Sequence, residues 1–308
     1  MNFDLTDDQV ALRDGIRSLC EGRFPMKRVR AGFDRDAFAE LSEAGVFSLR
    51  ADGFGTADGA VVFEELGRAL LPGPLVWSAL AHGSVDGIVG GLETPGRAAP
   101  WMVEHLDDLD GLLVLAEDRV SVVQPGALEG APVERPLDPL TPLHRVDSLP
   151  TGDDVGGPEL ATTIRRHGAV LTAAFLVGIA QAAADLAVAY ARERRQFERP
   201  IGSFQAVKHL LADTAVRAEI ARTAVHAAAC FVDDPELGDV ERAVAGAKLL
   251  AGEAAVGNSR TCVQVHGGMG FTWEVDAHLF LKRAWLLDTV FGSTDHHADT
   301  VAASLPKP

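Results

Sequence analysis

Apolar residues recur at helical spacing along most of the chain, and the places where that spacing fails divide it. Thr6-Asp7-Asp8-Gln9 reads as a capping box, in which a hydroxyl and a carboxamide satisfy each other's amide at a helix start, and Leu12, Ile16, Leu19 and Cys20 follow on one face. A second helix is predicted from about Asp36 through Phe38 and Leu41 to a stop at Gly45, and a third over about 58–70 with Val61, Val62, Leu66 and Ala69 inside. Pro72-Gly73-Pro74 ends the third, and a fourth, weakened by its glycines, is expected over about 75–92. Residues 1–93 are thus predicted to form an all-helical N-terminal domain.

Over 94–157 the pattern changes, because prolines recur from Pro95 to Pro150 and exclude long helices. Leu112–Leu115 and Val120–Val123, separated by Ala-Glu-Asp-Arg, read as a hairpin, so this stretch is expected to be a short β-rich middle domain. It has few apolar residues after Val123 and is not expected to be stable alone.

From Glu159 onward the helical period returns through Leu171, Phe175, Ile179, Ala182, Ala183, Leu186 and Tyr190. Ser203 is the expected N-cap of a helix with Val207, Leu210, Leu211, Thr214 and Ala218 inside, broken by Asp233-Asp234-Pro235. A further helix over about 237–265 ends at His266-Gly267-Gly268-Met269-Gly270, and a last pair covers about 276–287 and 295–304. Residues 158–308 are predicted to be a helical-bundle domain of antiparallel helices.

Composition narrows the function. A formal net charge of −16 over 308 residues disfavours nucleic acid, since phosphate neutralisation needs a concentrated basic face. The three cysteines, Cys20, Cys230 and Cys262, are widely spaced and odd in number, which fits a reducing compartment. No histidine pair has metal-ligand spacing, and the adjacent His296 and His297 cannot both face one way on a helix, so no metal is expected. The N-terminus lacks the basic and apolar regions of a signal peptide, and no apolar run approaching a membrane span is read, so a soluble, cytoplasmic protein with no membrane partner is expected.

Against that acidic background, Arg192, Arg194, Arg195 and Arg199 cluster where one helix stops and the next begins. Arg194 and Arg195 either offset a helix C-terminal dipole or hold a phosphate bidentately, which a lysine does less well. Phe197 either packs in the core or braces an arginine or a flat ligand. The turn His266–Phe271 follows a helix rather than a strand, so it is not a Rossmann or Walker loop. It is either a glycine C-cap or a place where backbone approaches a cofactor, with Gln264 and the Gly268 amide as polar contacts. Met269 and Trp273 are assigned to core or interface.

These segments occur together in a familiar order. Phe3-Asp4-Leu5-Thr6-Asp7-Asp8-Gln9, Phe63-Glu64-Glu65-Leu66-Gly67-Arg68, the run Arg194 to Gln205 and the run Val263 to Phe271 resemble the acyl-CoA dehydrogenase family over about 1–92 and 158–305. The resemblance implies a mainly α fold with an N-terminal helical domain, a truncated β-rich middle segment and a C-terminal four-helix bundle. It also implies FAD as cofactor, an acyl-CoA substrate, α,β-dehydrogenation and an electron-transfer acceptor. The family positions that reach across a subunit interface to a neighbour's FAD fall on Arg194, Phe197, Gln205, Gln264 and Gly268, with Gly267 and Thr294 as further cofactor contacts.

Two departures follow from the same resemblance. The middle segment is much shorter than the family's barrel-like domain, and neither the Thr-Glu-containing Gly-Ser motif nor the aromatic-Ile-Thr/Ser segment laid against the flavin ring is found. The family's general-base glutamate, in a Tyr-Glu-Gly-Thr turn, aligns with Phe291-Gly292-Ser293-Thr294 and is replaced by Gly292; the alternative glutamate of isovaleryl-type members falls near His167 and Gly168. Asp295, His296 and His297 are weak substitute bases. Complete trans-acting motifs beside missing cis-acting ones imply a subunit of a heteromeric (α2β2) acyl-CoA dehydrogenase of the steroid-degrading kind, whose partner chain supplies the flavin-ring site and the glutamate. A self-sufficient homo-oligomer with an unconventional base, or a non-catalytic scaffold, are the alternatives.

Overall fold

The capping box forms: Thr6 N donates to Gln9 Oε1 at 3.1 Å and Gln9 N to Thr6 Oγ1 at 3.2 Å. In the computed structural model, which describes residues 5–305, it opens α1 (Asp7–Arg23), followed by α2 (Met26–Val29), α3 (Arg35–Glu43), α4 (Thr56–Arg68) and α5 (Leu75–Ala81). Seven strands come next: β1 (Val89–Glu93), β2 (Trp101–Glu104), β3 (Gly111–Leu115), β4 (Val120–Val123), β5 (Gly130–Pro132), β6 (Leu143–Val146) and β7 (Asp153–Gly156). The chain continues through α6 (Pro158–Glu193), a two-residue pair β8 (Arg195–Gln196) and β9 (Arg199–Pro200), and then α7 (Gln205–Asp233), α8 (Val240–His266), α9 (Ala277–Leu287) and α10 (Thr294–Ser304). Phe3 and Asp4 of the opening motif lie outside the described residues.

Two compact units result. One holds Phe24–Gly55 and Pro72–Gly168, so the strands share a unit with α2, α3 and α5. Its larger sheet has the order β1-β3-β4-β7, with β1 parallel to β3 and the other pairs antiparallel. The predicted hairpin is β3–β4, with Leu112 opposite Val123 and Leu115 opposite Val120. A second antiparallel sheet runs β2-β6-β5. Buried Leu140 and Val146 lie after Val123, where the sequence shows few apolar residues.

The predicted helix over 75–92 is corrected here. It stops at Ala81, because His82 is extended and Gly83 and Gly87 take φ of 86° and 93°. The glycines that weakened a helix belong instead to β1: a Cβ at Gly91 would lie 1.9 Å from the Trp77 ring, so only a bare backbone lets that indole pack on the strand. The Ser78 hydroxyl then both donates to Val89 O and accepts from Val89 N, each at 3.0 Å.

The other unit holds the residues up to Arg23, Thr56–Leu71 and everything from Ala169 on. Alanine and glycine let its helices approach closely. A Cβ at Gly178 would sit 2.0 Å from Glu64 O, and one at Gly67 would sit 2.0 Å from Phe175 O, so α4 and α6 cross backbone to backbone. Beside the crossing the partly buried Glu64 accepts from Arg222 Nε at 2.8 Å, while Arg222 Nη2 donates to Gln181 Oε1 at 2.9 Å. Burial alone would raise the Glu64 carboxyl, but His226 and Arg222 hold it below the ordinary value. Buried Asn258 joins three helices: its Nδ2 donates to Ala180 O of α6 and Thr214 O of α7 at 3.1 and 2.9 Å, and its Oδ1 accepts from Arg217 Nε.

By length and composition alone α6 could cross a membrane, contrary to the expectation that no run approaches that length. Within the protein, 78% of its most apolar window is buried, the pattern of a helix at the centre of a bundle.

Candidate functional site

Arg194, Arg195 and Arg199 lie beyond the helix, whose last turn holds only Arg192 of the cluster. Helix α6 ends at Glu193; Arg194 N still donates to Tyr190 O at 2.8 Å, and Arg194 O accepts from Ile201 N at 2.7 Å, which closes the loop. Between them β8 and β9 pair across Phe197 and Glu198, both left-handed at φ 50° and 66°. Arg195 donates to Glu198 O, and the Arg199 guanidinium lies 4.1 Å from the centre of the Phe204 ring. Ser203 is not the predicted N-cap: its hydroxyl donates to Pro200 O at 2.7 Å, and Phe204 precedes α7 without a side-chain cap. With its neighbours so engaged, Arg194 is exposed and makes no side-chain hydrogen bond or ion pair among the described residues. Phe197 is 86% exposed, which removes the core-packing alternative; its ring meets only the edge of Phe204, at 6.1 Å.

Helix α7 therefore begins with uncapped amides and no acidic residue in its first turn, and Lys208 and His209 follow. Such a terminus attracts anions. Gln205, the first residue of α7, is exposed, with Nε2 3.2 Å from His209 Nε2.

The helices that lead into the two loops, α6 and α8, meet at their ends. The His266 ring, on the last residue of α8, stacks on Tyr190 near the end of α6 at 4.1 Å, and His266 Nδ1 donates to Cys262 O at 2.8 Å. Gly267 turns the chain at φ 61°, and a Cβ at Gly270 would lie 2.6 Å from Val263 O. Gly267 and Gly268 are exposed with nothing near their missing Cβ positions, and Gln264 is exposed beside them. Arg194, Phe197, Gln205, Gln264, Gly267 and Gly268 are all exposed, at or just beyond the ends of α6 and α8 that the Tyr190–His266 stack joins. An exposed guanidinium, an uncapped helix start and open glycine backbone fit the phosphates of a nucleotide cofactor.

Thr294 does not join this group. Its hydroxyl donates to Asp288, and both pack against Gly252, fourteen positions before His266 on α8 and so roughly 20 Å along that helix. The turn it belongs to is built on Lys248, a fully buried ammonium that donates to Leu287 O, Asp288 O and Gly292 O at 3.1–3.2 Å.

The weak substitute bases divide as adjacent helix residues must. Asp295 and His296 are exposed in the first turn of α10, whereas His297 is buried and its Nε2 donates to Phe291 O at 2.8 Å. Burial pushes the His297 imidazole down to about 4, and the Lys248 ammonium adds to this against the bond to Phe291. A depressed imidazole stabilises the fold fully above its unfolded value near 6.5, and that contribution is lost as pH falls from there toward 4. The loss is expected to reach roughly 2–3 kcal/mol. Melting curves between pH 7.5 and 4.5 check it: His297→Gln, which keeps an N–H for Phe291 but cannot titrate, should lose less stability on acidification, and parallel curves would exclude this role.

The fold is a helical bundle with a β-rich unit, and comparison with known proteins specifies its class. Residues 156–305 match the family model described as acyl-CoA dehydrogenase, C-terminal domain. Acyl-CoA dehydrogenase IpdE2 of Mycolicibacterium smegmatis is 34% identical over 306 residues, covering 91% of this chain and 93% of its own length. Acyl-CoA dehydrogenase FadE34 of Mycobacterium tuberculosis is 33% identical over 91% of this chain, which spans only 45% of that relative. The chain belongs to the acyl-CoA dehydrogenase family. Its fold matches the ChsE4-ChsE5 complex of Mycobacterium tuberculosis with a TM-score of 0.85 at 24% identity, covering all of both chains, and the Tcur3481-Tcur3483 steroid ACAD with a TM-score of 0.82 at 20% identity, covering 96% and 97%.

The geometry also refines where the family's glutamate would fall. Tyr-Glu-Gly-Thr ends on a glycine and a hydroxyl; here Gly292 is left-handed at φ 92° and the Ser293 hydroxyl caps α10 by accepting from His296 N at 3.2 Å. Matched through that pair, the glutamate's place is Phe291, buried and apolar, rather than Gly292. Neither residue is a carboxylate. Lys248 and Asn258 escaped the sequence reading; Lys248 left a signal, a lone charged side chain inside the apolar run from Ala243 to Ala251, whereas Asn258, followed by Ser259, Arg260 and Thr261, left none.

Proposed function

We propose that this chain is one subunit of a heteromeric FAD-dependent acyl-CoA dehydrogenase, of α2β2 composition. In this reading it holds the pyrophosphate and adenosine end of an FAD whose ring site, with the general-base glutamate, belongs to a second family member. Arg194 carries the reading: an exposed guanidinium, unpaired among the described residues, in the loop that leads into Gln205, in a chain whose 288–294 turn offers Phe291 and Gly292 where a base would stand. When bound, FAD supplies the hydride acceptor for α,β-dehydrogenation of an acyl-CoA thioester. Arg194 would neutralise pyrophosphate, the first amides of α7 would add hydrogen bonds, and Gln205 and Gln264 would orient the nucleotide. The self-sufficient alternative is disfavoured because Asp295 faces solvent and His297 is committed to Phe291.

A steroid-derived acyl group is the substrate class to assay first, with a separate electron-transfer acceptor. A cytoplasmic setting fits three cysteines that stay thiols. The test compares the chain expressed alone with the tagged chain isolated from its own cells. The lone chain should be colourless and inactive, and the isolated complex yellow, active and holding fewer flavins than subunits. A yellow, fully active lone chain would refute the proposal.

A further inference from the structure

The turn between α9 and α10 lies apart from the nucleotide contacts and is built around a charge of its own. Helix α9 ends at Leu287 with no basic residue in its last turn, although the free carbonyls of a helix C-terminus attract cations. The missing charge comes from another helix. Lys248 of α8 is fully buried, and its Nζ donates to Leu287 O, Asp288 O and Gly292 O at 3.2, 3.1 and 3.1 Å. These three acceptors match the three N–H donors of an ammonium. One turn further along α8, a Cβ at Gly252 would lie 2.3 Å from Asp288 Oδ1 and 2.7 Å from Thr294 Oγ1, so the turn rests directly on this face of α8.

Burying an ammonium is costly unless polar groups replace its water. Here main-chain carbonyls replace it, as they replace the hydration shell of an ion in a channel filter. The backbone is shaped to bring them there: Gly292 takes φ 92°, and a Cβ on it would meet His297 Nε2 at 2.6 Å. His297 holds the preceding carbonyl, Phe291 O, from α10. Two consecutive carbonyls are thus tied to two different helices, one through an imidazole and the other through an ammonium.

A lysine that only filled space would need none of these acceptors. We propose that the α9–α10 turn is a primary-ammonium site and that Lys248 is its tethered occupant. Its selectivity follows from the donor count. Three acceptors gathered on one side suit an ammonium whose remaining direction is a carbon chain; a quaternary ammonium has no N–H to offer them, and a neutral chain brings no charge. The parent chain fills the site from within and leaves no room for an external cation. Emptied of its side chain, the site accepts one.

The test is made on the full chain. Lys248→Ala removes everything from Cγ to Nζ, the outline of n-propylammonium, and should lower the melting temperature by roughly 6–12 °C. n-Propylammonium chloride should restore most of that loss, increasingly with its concentration. Tetramethylammonium chloride and 1-propanol should not, and the parent chain should respond to none of the three. Lys248→Met keeps the length without the charge; it should lose stability and gain nothing from propylammonium. Its second readout is His297, on which burial, the Phe291 bond, Lys248, His296 and Asp288 all act. Followed by NMR of labelled histidines and assigned with His297→Gln, that imidazole should protonate at higher pH in Lys248→Met than in the parent, a change that lost packing alone would not produce. A Lys248→Met chain as stable as the parent, or one whose His297 titrates unchanged, overturns the site even where Lys248→Ala does not fold. A Lys248→Ala chain that folds and gains nothing from propylammonium overturns it, as does one that gains as much from 1-propanol or tetramethylammonium.

Discussion

Replacing Arg194 with alanine is expected to lower the affinity of the complex for FAD by roughly 10- to 100-fold, the range for removing one charge-assisted contact to a phosphate. The complex itself should keep its mass. The neighbouring arginines are poorly placed to compensate, since Arg195 is held by Glu198 O and Arg199 lies over Phe204. Arg194→Lys should recover only part of the loss, because an ammonium cannot present the planar pair of donors that a pyrophosphate accepts. Flavin absorbance per mole of complex after gel filtration, followed by titration of the apo-complex with FAD, measures both variants. Unchanged flavin content in Arg194→Ala would remove the residue from the site.

Gly178→Ala and Gly67→Ala are expected to be the most destabilising single methyl additions in the bundle. Each new Cβ would meet a backbone carbonyl at 2.0 Å, Glu64 O in one case and Phe175 O in the other. Backbone on both sides leaves no flexible side chain to give way, so α4 and α6 must separate. Separation would also stretch the Glu64–Arg222–Gln181 bonds beside the crossing. A loss of roughly 3 kcal/mol or more is expected for each, above the usual cost of overpacking. This corresponds to a fall in melting temperature of about 6–12 °C for a chain of this size. Gly246→Ala, on α8 with open space at its Cβ position, is the control and should be close to neutral. A small effect at Gly178 would mean that the two helices adjust their crossing readily.

What the sequence disclosed follows from how local each determinant is. The capping box, the β3–β4 hairpin and the long helices depend on residues a few positions apart, and their pattern sufficed to place them. Strand β1 was misread because its cause is remote: Val-Gly-Gly-Leu-Glu is a poor strand by propensity and becomes one through Trp77 and Ser78 on a preceding helix. Ser203 has an N-cap's chemistry one position too early, and the three-residue 3-10 turn Ile201–Ser203 diverts its hydroxyl to Pro200. At the candidate site, the motifs named the residues proposed, while the placing of the two loops follows from α6 and α8 meeting at Tyr190 and His266. Thr294 belongs to a separate structure organised by Lys248, whose bonds to Leu287 O, Asp288 O and Gly292 O are to main-chain carbonyls and so leave no side-chain signature to read.

The paired left-handed residues Phe197 and Glu198 give the arginine loop a further property. Neither is glycine, so each carries a conformational cost of roughly 1–2 kcal/mol that the free chain already bears. The β8–β9 pairing, the Arg195 bond to Glu198 O and the Arg199–Phe204 stack hold the loop in that shape before any ligand arrives. Little ordering entropy then remains to be lost on association. A looser, glycine-bearing loop would cost the free chain less and leave more ordering entropy to be lost on binding, so in the proposed reading the loop is a finger already set in shape for a nucleotide.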